Sequence, residues 1–141
     1  MTRWSQLAVV PAAALAAMTV SCGGDDASLR TFAGRWQGHG RGLTITRTGH
    51  ATEVVNSGCC YLVIAVKFRL SHPRGTHHAA RSRATVTSVR VADKRWFGKR
   101  HPAPRVGDTA TIRVRDGHLY EGLTRVYYCL PAAWRRQLCG A

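Results

Sequence analysis

A chain of 141 residues has room for one domain, and 45% apolar content excludes disorder throughout. A formal net charge of +14 implies an acidic partner: nucleic acid, anionic lipid or an acidic polymer. Of the 21 basic residues only Lys67, Lys94 and Lys99 are lysine. Arginine suits bidentate phosphate contact, but a chain heavy in Arg, Ala and Gly is also what a GC-rich genome produces. The balance favours a solvated basic surface over a dedicated nucleic-acid-reading face, so no specific nucleic acid is expected.

Residues 1–21 read as a signal peptide. Arg3 gives a short positive start, Leu7 to Val20 is an apolar run broken only by Pro11 and Thr19, and small residues follow. The run is too short to span a bilayer comfortably and matches the apolar region of a secretory signal. Thr19-Val20-Ser21-Cys22 resembles the lipobox of bacterial lipoproteins, with Thr19 where that family usually has leucine. The resemblance implies a lipidated Cys22 at the mature N-terminus, and hence a membrane attached through a lipid anchor; ordinary cleavage nearby, giving a secreted soluble protein, is the alternative. Cysteine parity favours the anchor: five cysteines leave one unpaired, and removing Cys22 leaves four. Residues 22–31 then form a polar tether, and 32–141 the folded domain.

That domain reads as strands. Phe32 to Trp36 leads through a glycine-rich stretch into Leu43–Arg47, a short alternating strand. Thr48-Gly49-His50 is a turn and Thr52–Asn56 another extended piece. From Cys60 the even positions read Cys, Leu, Ile, Val, Phe, Leu to Leu70, with Lys67 and Arg69 between them. This alternation predicts a central strand with one face in the core and Cys60 on that inward row. Ser71 to His78 reads as a loop from its Pro and Gly. Arg83 to Val91 is strand-like, with its alternation slipping at Ser88, which predicts a β-bulge. Lys94 to Pro104 is a basic loop. Thr109–Arg115 alternates strictly, Asp116-Gly117 suits a type I′ hairpin turn, and His118 to Tyr128 is extended again. The tail from Pro131 has room for one helical turn. The expected fold is all-β: a small antiparallel barrel or sandwich of six to seven strands.

Cys59, Cys60, Cys129 and Cys139 are expected to form structural disulfides, as an exported chain meets oxidising conditions. A bond between the adjacent pair would be strained. Either remaining pairing closes loops of roughly 70–80 residues, each worth on the order of 4 kcal/mol. The domain's few carboxylates leave little for acid–base catalysis. Asp116, Asp108 and Asp93 fall at turns or strand ends, and Glu121 is expected to meet an arginine across a strand. No nucleophile motif or phosphate loop is present, so an enzyme is not expected. His72, His77 and His78 share one loop without an acidic or thiolate companion, and neither a metal nor another cofactor is implied.

The functional surface expected from sequence is Lys94, Arg95, Trp96, Phe97, Lys99 and Arg100. Aromatics beside cations suit an anionic bilayer or wall polymer. Gly34-Arg35-Trp36 resembles the Gly-x-Trp opening of lipocalin- and avidin-like barrels. That resemblance implies the alternative of a carrier, with an apolar ligand among Leu62, Ile64, Val66 and Phe68. A third reading is a structural or protein-interaction domain with incidental charge. More broadly, the Trp36-Gln37-Gly38-His39-Gly40-Arg41 opening, the Gly58-Cys59-Cys60 strand and the C-terminal cysteines resemble small actinobacterial exported proteins and lipoproteins, a likeness that transfers no activity. Mass spectrometry of protein extracted from membranes is expected to find diacylated Cys22, and Cys22→Ala is expected to shift the protein to the soluble fraction. An unmodified N-terminus would remove the anchor.

Overall fold

The computed structural model describes residues 26–58 and 60–135, with backbone alone at 133 and 134. The residues expected to form a signal peptide, and Cys22, Cys59 and Cys139, lie outside the described residues. Eight strands follow one another: β1 (Gly34–Gly38), β2 (Arg41–Ile45), β3 (His50–Ser57), β4 (Tyr61–Gly75), β5 (Ala79–Val91), β6 (Thr109–Arg115), β7 (His118–Glu121) and β8 (Val126–Cys129). Each pairs antiparallel with its neighbours in sequence, and β1 meets β8 to close a barrel. A single turn of helix, α1 (Pro131–Arg135), follows.

Eight strands replace the expected six to seven for two local reasons. β1 carries glycine at both ends and alternates weakly, yet it pairs along its whole length with β2. The extended stretch 118–128 is two strands, broken by a turn in which Arg125 takes φ 59°. Eight is also the number that closed lipocalin- and avidin-like barrels use.

β4 departs from strict alternation. Asn56 pairs with Leu62 and Val55 with Ile64, so Val63 is an extra residue. From Ile64 to Leu70 the inward row is as expected, but on the other side of this bulge Val63 is buried and Cys60 exposed. A one-residue insertion flips the face of everything before it. The expected slip at Ser88 is present: Lys67 pairs with Ser88 and Phe68 with Val86, leaving Thr87 extra. The expected loop at Ser71–His78 is largely strand, because β4 runs on to Gly75. A bulge sets His72 and Pro73 against the single residue Ser82, and Ser82 Oγ donates to the Ser71 carbonyl at 2.8 Å. Pro73 is tolerated there because a bulge excuses its missing N–H.

Large and small residues interdigitate inside. Leu70 faces Ala84 and Val114 faces Ala80 across neighbouring strands. One end is stoppered by a 3₁₀ turn, Leu29–Phe32, whose Phe32 is fully buried and whose Phe32 carbonyl accepts from Trp36 Nε1 at 2.9 Å. From Asp26 onward the residues assigned to the tether lie against the barrel: Asp26 bridges Thr76, and Ala27 N–H donates to the Gly75 carbonyl. The Asp-Gly hairpin is as expected, with φ 49° at Asp116 and 80° at Gly117.

Gly75 adopts φ 105°, and a Cβ there would sit 2.2 Å from the Ala79 carbonyl oxygen. Gly75→Ala is therefore expected to destabilise by roughly 2 kcal/mol or more in denaturant unfolding. Gly42→Ala, where a Cβ meets nothing within 4 Å, is expected to be neutral or mildly stabilising.

Candidate functional site: a basic rim and a buried carboxylate pair

The basic loop leaves β5 at Val91 and is fixed by the β4 bulge. The Val63 carbonyl accepts from both Ala92 N at 2.9 Å and Asp93 N at 3.1 Å. Asp93 then caps a 3₁₀ turn, Lys94–Trp96. Its carboxylate takes Arg95 N and Nε at 3.0 Å and Nη2 at 2.8 Å. The Arg95 hydrogen bonds hold the Asp93 carboxyl below its ordinary range. The charge of Arg95 is thus compensated locally. Lys94, Lys99 and Arg100 are exposed and take part in no ion pair among the described residues.

The two aromatics expected to act together are divided. Phe97 turns in against the core and anchors the loop, whereas Trp96 is 58% exposed. Trp96 faces a groove of about 960 Å³ that Arg95 and Asp93 also line. The opposite wall is Ser57, Tyr61, Leu62 and Val63 at the start of β4, with Tyr61 78% exposed. Tyr61 was missed because its position next to Cys60 read as part of the strand. Tyr61 is the first residue of β4, at the end of the strand.

Of the cysteines, exposed Cys60 and fully buried Cys129 are both in disulfides. The expected inward position of Cys60 is overturned by the same bulge. His72 contacts Ser71 Oγ, while His77 and His78 meet edge to face with ring centres 5.6 Å apart.

A second polar cluster lies inside the barrel, where sequence reasoning placed none. Glu53 on β3 and Glu121 on β7 are both fully buried. Glu121 does not meet an arginine: its strand partners are Ile112 and Val126. Instead it folds over the β7–β8 turn and accepts from Leu123 N at 2.5 Å and Thr124 N at 2.8 Å. The turn's own N–H groups had to be satisfied, and an inward carboxylate one residue before it was within reach.

Glu53 Oε1 accepts from the Tyr128 hydroxyl, and Glu53 Oε2 is buried with no hydrogen-bond partner among the described residues. Thr124 Oγ1 lies 2.6 Å from Glu121 Oε2 and 3.1 Å from Glu53 Oε1. One hydroxyl proton cannot serve both carboxylates. A proton on Glu53 resolves the conflict. Burial, then the charge of Glu121, raises the Glu53 pKa from 4.5 to about 7, against weaker lowering by Tyr128, Thr124 and Arg41. Burial and the neighbouring Glu53 likewise push the Tyr128 phenol up and keep it protonated. Arg41 supplies the nearby positive charge, its Nη1 donating to Thr124 Oγ1 at 3.4 Å.

The raised Glu53 pKa fixes the sign of a pH effect. Below pH 4.5 folded and unfolded chains both hold the proton. From 4.5 to about 7 the unfolded chain releases it while the folded one keeps it, so stability falls as pH rises. At ~1.4 kcal/mol per pH unit the loss is roughly 3 kcal/mol and is complete above that window. Glu53→Gln is expected to abolish this component, read as a flatter difference in thermal stability between acid and neutral pH.

No family model, curated protein or solved structure matches this chain, so its function is argued from these sites alone.

Proposed function

We propose that this protein is a non-enzymatic binding module of the cell envelope, engaging an anionic wall polymer through the rim of Lys94, Arg95, Trp96, Lys99 and Arg100. The observation that carries the reading is the groove walled by exposed Trp96 and Tyr61, with Arg95 in its lining and exposed Lys94, Lys99 and Arg100 on the same loop. Flat aromatic faces hold a polymer's apolar ring or chain surfaces while the cations take its charges.

Wall polymer is favoured over anionic lipid at this rim by the layout of β4. The loop groove sits at the Tyr61 end, whereas the chain leading back to Cys22 departs beside Gly75 and Thr76. Those ends are separated by roughly 45 Å of strand. With Cys22 lipidated, the aromatic rim points away from the membrane. The carrier alternative draws on the closed eight-strand count, but Ile64, Val66 and Phe68 pack with Phe32, Leu43 and Leu119 in one core cluster.

Binding to purified wall polymer is expected at low salt and lost at high salt. Lys99→Ala with Arg100→Ala is expected to weaken it about tenfold or more, at about 1 kcal/mol per cation. Arg95→Ala alone is expected to do less, because Asp93 already balances that charge. Binding that survives high salt, or that ignores the Lys99 and Arg100 changes, refutes the reading.

A further inference from the structure

A second concentration of unpaired charge lies away from the loop, on the outer wall of β4, β5 and β6. Arg74 pairs in register with Arg81, and Arg81 with Arg113, so three guanidinium side chains lie side by side across three strands. Like charges directly opposite one another destabilise a sheet. All three are exposed, and none takes part in an ion pair among the described residues, where Arg95–Asp93 and Arg115–Asp116 are the ion pairs. The row forms the ridge between two shallow grooves, of about 510 and 420 Å³, and lines both. Arg83, Thr109 and Thr111 add a further cation and two hydroxyls to the first groove. The His72–Pro73 bulge turns His72 into it as well, at φ 53°. A bulge with a left-handed, non-glycine residue is a means of re-aiming a side chain.

Arginine forks match phosphate oxygens two at a time. Adjacent strands are spaced ~4.8 Å apart, so the row offers several forks across a short span. The direction of the chain says which phosphates are in reach. Gly75 lines the second groove together with Arg74, Arg81 and Arg113, and its carbonyl takes the Ala27 N–H. Asp26, the first described residue and four residues after Cys22, bridges Thr76 and so lies beside the arginine row. With Cys22 lipidated, a lipid anchor and a guanidinium row so close together fit the boundary of a bilayer, where acyl chains lie beneath phosphates.

We propose that the Arg74–Arg81–Arg113 row is a docking site for the headgroup phosphates of an anionic bilayer, seating this end of the barrel on the membrane surface. It is a site separate from the aromatic rim and does not rest on the wall-polymer reading. The repulsion stored in the row when it is free is relieved when phosphates intercalate between the forks.

The test is arginine footprinting of the full chain with phenylglyoxal, read residue by residue by mass spectrometry. Protein is compared in neutral detergent, in phosphatidylcholine vesicles and in vesicles containing phosphatidylglycerol. Arg74, Arg81 and Arg113 are expected to react several-fold more slowly in the anionic vesicles than in detergent, while Arg35 and Arg100 keep their rates. Arg81→Gln is expected to melt at or above the wild-type temperature at low salt and to restore much of the reactivity of Arg74 in anionic vesicles. Equal protection in phosphatidylcholine would reduce the effect to crowding by the vesicle and overturn the proposal. So would protection confined to Arg95 and Arg100, which would put the bilayer at the other end. Protection of the row by soluble polyphosphate in detergent but not by vesicles would replace the bilayer with a soluble phosphate polymer and equally overturn it.

Discussion

The barrel closes through a narrow seam. β1 and β8 share one registered pair, Gln37 with Cys129, whereas every other junction is longer. Two features keep that seam shut. Gly38 lets β8 approach: a Cβ there would lie 3.2 Å from the Tyr127 carbonyl. Beneath it, Tyr128 on β8 reaches across the interior to Glu53 on β3, and Thr124 links Glu53, Glu121 and Arg41. Strands from both sides of the seam are thereby tied by polar contacts in a medium where such contacts are strong and costly to leave half made. Cys129, at the seam itself, adds a disulfide.

That network shapes the electrostatics of the whole molecule. A chain with 21 basic and 7 acidic residues buries two of its few carboxylates inside, where they cannot offset surface charge. Asp93 is engaged with Arg95, and Asp108 with the backbone N–H of Arg105. Most of the described arginines are thus exposed with no ion pair among the described residues, and the surface potential is set by where the strands place them.

The bulges in β4 do the placing. At one end the Val63 carbonyl holds the basic loop, and the bulge at Val63 turns Cys60 outward. At the other, the His72–Pro73 bulge lets the strand continue to Gly75 and carries Arg74 alongside Arg81. One strand therefore organises two cationic surfaces of different character. The first is an aromatic-walled groove with lysines and arginines on its loop; the second is a guanidinium row between two shallow grooves.

The sequence by itself determined the all-β class, the inward row from Ile64 to Leu70, the slip near Ser88 and the Asp116-Gly117 hairpin. Each is a local matter: a period of two, or a pair of residues that accept positive φ. It also marked Lys94 to Arg100 as an exposed basic stretch, which composition alone discloses. The strand count fell short where β1 lacked alternation and where the β7–β8 reversal carried only Gly122 as a turn signal and closed on the Glu121 carboxylate. Only the tertiary structure decided that Phe97 turns in while Trp96 stays out, that two carboxylates share one threonine, and that Arg74, Arg81 and Arg113 stand in line. These juxtapositions depend on cross-strand register, and register depends on bulges and closure. A single extra residue, such as Val63, changes every neighbour before it, and residues far apart in sequence meet only when the sheet has closed.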